Sequence, residues 1–149
     1  MGKRGEGWFV LQMVLFAVIL LAPRFPAVTF PWWAGAIGVA CVAAAGILGT
    51  WGMMALGRNL TPFPRPLEGG SLVTQGPYAL VRHPIYSALI LGTLGWSLMR
   101  ANLLGVLLAA ILLVFFDLKS RREERWLAEA YPDYEAYQRR VRKLIPWIY

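Results

Sequence analysis

Two short stretches hold the residues best suited to chemistry. In Arg82-His83-Pro84-Ile85-Tyr86 a guanidinium and an imidazole stand directly before a proline. The residue preceding a proline is pushed out of the helical region, and proline is favoured as the first residue of a helix. A helix is therefore predicted to start at Pro84, with Arg82 and His83 just outside it. Such a start presents free N–H groups and the positive end of the helix dipole, a natural seat for a carboxylate or phosphate. A plainer reading serves these residues too, with Arg82 against a lipid phosphate and His83 as a cap. The second stretch is Glu123-Glu124. Paired carboxylates near a membrane surface could hold an ammonium group or accept from ribose hydroxyls. They could equally belong to a solvated helix, because Lys119–Glu123 and Arg125–Glu129 have the i,i+4 spacing of surface ion pairs. Successive helix residues point about 100° apart, so only one glutamate can face a common pocket squarely, and Glu123 is expected to be that one. Lys119, about one turn earlier, can point toward the same opening and orient an anionic head group. No His or Asp is placed to make a metal site of these groups. The single cysteine, Cys41, forms neither an intrachain disulfide nor a zinc cluster.

The elements that must position these residues are apolar. The chain has 149 residues, room for one domain, with 58% hydrophobic and 15% charged residues. Soluble domains carry about a quarter charged residues. Between Trp8 and Gly57 the only charge is Arg24, whereas the segment from Lys119 to Lys143 is dense in charge. This segregation predicts an all-α integral membrane protein with a polar end. About four transmembrane helices are expected, over residues 8–22, 32–57, 84–99 and 101–117, the last two forming a helical hairpin. Only the second is comfortably long against the roughly 20 residues of a full span. Lys3 and Arg4 precede the first run as they would in a secretory signal, but it ends at Pro23-Arg24-Phe25-Pro26 with no small-x-small site, so a retained span is expected. Gly35, Gly38, Gly46, Gly49 and Gly52 lie inside the second run, where small residues let helix backbones approach.

Residues 58–83 form a long loop rich in proline (Pro62, Pro64, Pro66, Pro77) and glycine (Gly69, Gly70, Gly76). Loops of this length are functional or disordered, and Leu72, Val73, Tyr78, Leu80 and Val81 favour docking. Residues 118–149 are expected to form a cytoplasmic helical tail, interrupted at Pro132. A last amphipathic segment carries Tyr134, Tyr137, Val141 and Leu144, and interfacial aromatics follow. With the N-terminus inside, 13 basic residues fall on the cytoplasmic side and 2, Arg24 and Arg100, outside, which orients the bundle. Both termini, the loop and the tail are thus expected to be cytoplasmic. The net charge of +7 is accounted for by membrane lipids. No motif supports nucleic-acid binding.

Gly76-Pro77-Tyr78, Arg82-His83-Pro84-x-Tyr86, Glu123-Glu124-x-x-Leu127, Tyr134-x-x-Tyr137 and Val141 together resemble the isoprenylcysteine carboxyl methyltransferase family and the related phospholipid N-methyltransferases. The resemblance covers roughly residues 72–146. It implies S-adenosylmethionine as cofactor and methyl transfer to an amphiphilic, lipidic or isoprenoid-type acceptor at the cytoplasmic membrane interface. Carboxyl O-methylation is the first expectation and amine N-methylation the alternative. It also implies cofactor contacts at Gly70, Ser71, Leu72, Val73, Tyr78, His83, Pro84, Ile85, Tyr86, Glu123 and Glu124. Arg82 and Lys119 are the catalytic candidates, Lys119 falling where eukaryotic members have an arginine at the substrate. The compact chain suggests a prokaryotic inner membrane. Two departures stand out. Ala88 replaces a glycine, and Tyr131-Pro132-Asp133-Tyr134 is one residue shorter than the family's Phe-Gly-x-x-Tyr. Two rival classes are an NADPH-dependent membrane reductase and a non-catalytic membrane module. The first needs more basic contacts for nucleotide phosphates. The second predicts that Arg82, His83 and Glu123 tolerate alanine.

Overall fold

The computed structural model describes residues 5–21, 29–63, 65–67 and 69–149. Lys3, Arg4 and Arg24 of the charge count, Ala22 at the expected end of the first span, the Pro23-Arg24-Phe25-Pro26 segment and Pro64 lie outside the described residues. Five α-helices follow one another: α1 (Glu6–Leu21), α2 (Trp32–Leu56), α3 (Pro84–Met99), α4 (Leu103–Ala130) and α5 (Tyr134–Arg140). Two 3-10 turns, Gly57–Asn59 and Gly76–Ala79, punctuate the loop between α2 and α3. Among the described residues the only β-type pairing is an isolated parallel bridge between Val81 and Arg142.

Two helices are long and apolar enough to cross a membrane, α2 with its following turn and α4. α1 and α3 are apolar but shorter, 16 residues each. At 1.5 Å per residue such a helix is about 24 Å long, less than the roughly 30 Å hydrocarbon core. α4 has 28 residues and outruns that core by about two turns, its charged second half following its apolar first half.

α2 packs chiefly on α3, and small residues set how closely. A methyl group added at Gly38 would come 2.6 Å from the Gly95 carbonyl, and one at Gly95 would come 2.7 Å from the Gly38 carbonyl. The two backbones touch there with nothing between them. Further along, Gly49 faces Ala88, and Gly52 faces Pro84 and Ile85. The methyl of Ala88, where the family has glycine, is accommodated by the bare face of Gly49. Gly35 and Gly46 have open space beside them, so the packing role read for all five glycines holds for three.

The α3–α4 connection is as short as expected. Ala101 adopts a positive φ of 47°, and the Asn102 side chain caps α4 by accepting from the Gly105 N–H. α1 lies along α4. Its Trp8, Leu15, Phe16 and Ile19 pack against Leu112, Phe115 and Phe116, at the three-to-four-residue spacing of one helix face. α4 stops at Ala130 ahead of Pro132, as the sequence predicts. Two expectations for the tail need correction. Val141 and Leu144 lie beyond the end of α5; Val141 is extended, and backbone bonds hold Arg142 and Lys143 alongside Arg82 and His83. The second half of α4 is not simply a solvated helix, because Lys119, Ser120 and Glu124 are buried. The i,i+4 ion pair that forms there is Asp117–Arg121, while Lys119 bonds Gln12 and Glu123 bonds Tyr86.

Candidate functional site

His83 occupies the N-cap position of α3, directly before Pro84, but makes no side-chain capping bond. Its ring instead lies between the two glutamates of α4. Nε2 is 3.1 Å from Glu124 Oε1, and Nδ1 is 4.0 Å from Glu123 Oε2. An ionised carboxylate only accepts, so Nε2 carries the proton it donates to Glu124. The ring stacks on Tyr86, 5.3 Å between centroids, and Tyr86 stacks on Phe116 at 4.4 Å. The Lys119 ammonium sits 5.1 Å from the Tyr86 ring centroid. One aromatic ladder thus ties the start of α3 to the middle of α4.

On one side of this ladder the polar groups are consumed by one another. Glu124 accepts from Arg82 Nε at 2.8 Å, from His83, and from Gln138 Nε2 at 3.1 Å. Arg82 also donates to the carbonyls of Gln138 and Val141. The tail is then stitched alongside, with Arg82 N–H donating to Arg142 O at 2.8 Å and His83 N–H to Lys143 O at 3.1 Å. Ser87 Oγ donates to Leu144 O, and Tyr137 Oη donates to Tyr78 O. Burial raises the Glu124 carboxyl, but the bonds from His83 and Arg82 outweigh it and hold the group at about 2.

On the other side lies a cavity of about 390 Å³, within the usual range for small-molecule sites. Its polar lining includes Ser71, Tyr78, Glu123 and Lys119, with Leu72, Val73, Ile85 and Tyr86 as apolar and aromatic walls. Arg82 and His83 reach its edge. Glu123 offers its carboxylate to the cavity, its Oε2 accepting from Tyr86 Oη at 2.7 Å. The Glu123 side chain is 23% exposed against 8% for Glu124, so the two neighbours have different surroundings. Gly70, Pro84 and Glu124 stand behind the lining. Gly70 is where Asn59, Tyr131 and the Leu67 carbonyl converge, and a methyl there would come within 3.0 Å of Asn59 Oδ1 and of Tyr131 Oη. Asn59 in turn holds Ser71, donating to its carbonyl and accepting from its N–H. Pro84 packs its ring toward Gly52.

Several lining residues carried no signal as ligands in the sequence: Gln12, Asn59, Phe63, Tyr131, Tyr134 and Tyr137. Tyr134 is the most telling. It is 1% exposed, and its hydroxyl has no hydrogen-bond partner among the described residues. Burial, and then Glu124, push its phenol well above the ordinary value, so the group is an O–H donor at any physiological pH. A buried orphan donor costs about 1–3 kcal/mol. Lining a cavity, it is placed to be satisfied by a ligand acceptor. The donor set therefore fits S-adenosylmethionine: a carboxylate for ribose hydroxyls or an ammonium, an orphan hydroxyl, aromatic faces for a cationic sulfur, and an apolar pocket.

Fold and site together define a class, an all-helical protein with two helices long and apolar enough to cross a membrane and a largely apolar cavity that carries a few polar side chains. The model of the phospholipid methyltransferase family matches residues 33–134, and the chain belongs to that family. The relatives agree with the resemblance read from the motifs. The chain is 28% identical over 128 residues to protein-S-isoprenylcysteine O-methyltransferase B of Arabidopsis thaliana, covering 83% of this chain and 65% of that protein. It is 38% identical over 79 residues to the protein-S-isoprenylcysteine O-methyltransferase of Schizosaccharomyces pombe, 52% of this chain and 34% of the other. It is also 38% identical over 80 residues to the cobalt-zinc-cadmium resistance protein CzcN of Cupriavidus metallidurans, 53% of this chain and 37% of that one. The chain thus spans between 34% and 65% of the length of these curated relatives.

Proposed function

We propose that this protein is an S-adenosylmethionine-dependent methyltransferase acting on the carboxylate of a lipidic or isoprenoid-type acceptor at the cytoplasmic face of a membrane. The observation that carries the reading is the cavity wall, where Glu123 and the orphan Tyr134 hydroxyl stand with a buried lysine, Lys119, on the same lining. Family membership and the named isoprenylcysteine O-methyltransferases support the reaction class. Bound S-adenosylmethionine supplies an electrophilic methyl group on a sulfonium. The chain's part is to hold and to exclude. Glu123 and Tyr134 would bind the polar end of the cofactor, and Tyr78, Leu72, Val73 and Ile85 would enclose it and keep water out. Tyr78 would offer a ring face, while Tyr86, stacked on His83 and on Phe116, would brace that wall. Lys119 would orient the acceptor's carboxylate, which is already nucleophilic, so no proton has to be removed. Alignment and desolvation then supply the catalysis. Gly70, Pro84, Arg82 and Glu124 would act by shaping and bracing the lining.

The proposed membrane arrangement has four spans, formed by α1, α2, α3 and residues 103–117 of α4, with the site on the cytoplasmic side of a prokaryotic inner membrane. The exposed apolar side chains of α1 and α2, Val14, Leu20, Ile47 and Met54 among them, suit contact with lipid. The acceptor's tail would lie in lipid and its head at the cavity. Transfer of label from methyl-labelled cofactor to amphiphilic acids by the purified protein tests the function. Lys119→Ala should impair transfer with cofactor affinity nearly unchanged, and Lys119→Arg should retain part of the activity. Turnover of a purely water-soluble acceptor as fast as any lipidic one would refute the acceptor class.

A further inference from the structure

Lys119 is 2% exposed, yet no carboxylate among the described residues lies within ion-pair distance of it. Its one hydrogen bond goes from Nζ to the amide oxygen of Gln12, at 2.6 Å. The faces of Tyr86 and Phe116, at 5.1 and 6.0 Å, complete its surroundings. Glu123, one turn along the helix, is bonded by Tyr86 and stands beyond ion-pair distance, so its charge acts on the ammonium only from a distance. An amide accepts one proton of the ammonium and leaves its charge whole. A buried cation with no carboxylate paired directly to it is expensive, and two of its three N–H groups remain for something else. Both Lys119 and Gln12 line the cavity.

Gln12 is also anomalous in sequence. It is the one strongly polar residue in the apolar run from Trp8 to Leu21. It falls on the inward face of α1, four residues after Trp8 and four before Phe16, both of which pack on α4. Seven residues before Phe16 and so on nearly the same face, Phe9 meets Phe63 of the loop, 5.7 Å between ring centroids. α1 therefore meets the loop and α4 along one face, and on that face Gln12 meets the cavity's lysine.

We infer that Gln12 is a positioning residue for acceptor recognition, its neutral amide fixing the Lys119 ammonium with its charge unquenched so that the cavity selects an anionic head group and rejects an amine. This inference rests on the methyltransferase reading above and adds the residue that sets the acceptor's charge. A bond that merely joined α1 to α4 would have no need of a neutral partner, because a glutamate at position 12 would join them at least as well. Gln12→Glu therefore separates the two roles.

The test uses the full chain in lipid nanodiscs with N-acetyl-S-farnesylcysteine as acceptor, its methyl ester as the uncharged control, and S-adenosylmethionine. Measured are acceptor KM, kcat, cofactor Kd and Tm for wild type, Gln12→Glu and Gln12→Leu. Gln12→Glu is expected to hold its Tm and cofactor Kd while acceptor KM rises by about tenfold or more, a factor of ten being about 1.4 kcal/mol. Gln12→Leu should raise KM by a smaller factor with cofactor Kd again unchanged, and the methyl ester should compete with the acid in neither variant nor wild type. Wild-type KM in Gln12→Glu overturns the inference and leaves a helix-joining bond. If that variant does not fold, wild-type KM in Gln12→Leu overturns it equally. A wild type that methylates no amphiphilic acid removes the underlying reading and this inference with it.

Discussion

Glu123 and Glu124 are neighbours on one helix and stand in opposite chemical situations. Glu124 is closed in by Arg82, His83 and Gln138. Glu123 faces a cavity with Tyr86 as its hydrogen-bond partner. The Arg82-His83-Pro84 segment lies between them and serves both. Through Arg82 and the backbone of residues 82 and 83 it docks the tail, and through the His83–Tyr86 stack it builds the cavity wall. A motif made of chemically able residues is thus divided. One half is spent on bringing the loop and the tail together, and the other half is left open.

The division can be broken most severely from the closed side. Arg82→Ala or Glu124→Ala strands a buried partner, and loss of one member of such a pair costs about 3–5 kcal/mol. Unfolding in detergent should show that loss, and cofactor binding should fall with it. Acid probes the same contact. The folded Glu124 carboxyl lies at about 2 against an ordinary 4.5, so in that interval the unfolded chain binds more protons. The stability it contributes is complete above about pH 4.5 and lost as pH falls through about 2. A Tm-against-pH profile should show this decline in wild type and a shallower one in Glu124→Gln.

On the open side the effects separate from stability. Glu123→Gln should leave Tm nearly unchanged and weaken cofactor binding by about 1.5–3 kcal/mol, as for a hydrogen bond to a charged group. Equal losses at the two glutamates would erase the comparison. Tyr134→Phe sharpens it with the smallest effect. Removing an orphan hydroxyl should leave the ligand-free protein as stable or more so, while cofactor affinity drops by about 1 kcal/mol. A thermal-shift series with and without cofactor reads both.

Much of this was legible in the sequence. Hydropathy located all four apolar helices, and the constraint that proline places on its predecessor located the start of α3 at Pro84. The short α3–α4 turn and the break before Pro132 were equally plain. What stayed hidden depends on contacts that leave no pattern. The pairing of Arg82 and His83 with Arg142 and Lys143 uses backbone groups, which every residue carries, so a segment that reads as the end of an amphipathic helix in fact lies beyond α5. Gly38 and Gly46 have the same spacing rules and opposite surroundings, because a repeat does not say which face has a neighbour. Lys119 has the spacing of a surface ion pair, and only the position of α1 reveals that it is buried on Gln12. A lone glutamine in an apolar run has nothing nearby in sequence to mark it, its partner being 107 positions away.

The most direct test of the account is equilibrium binding of S-adenosylmethionine, or its demethylated product, to the purified protein by calorimetry. A micromolar Kd, on the order of −8 kcal/mol, is expected for wild type, with marked weakening in Glu123→Gln at unchanged Tm. No heat and no thermal shift for wild type at millimolar cofactor would contradict the account.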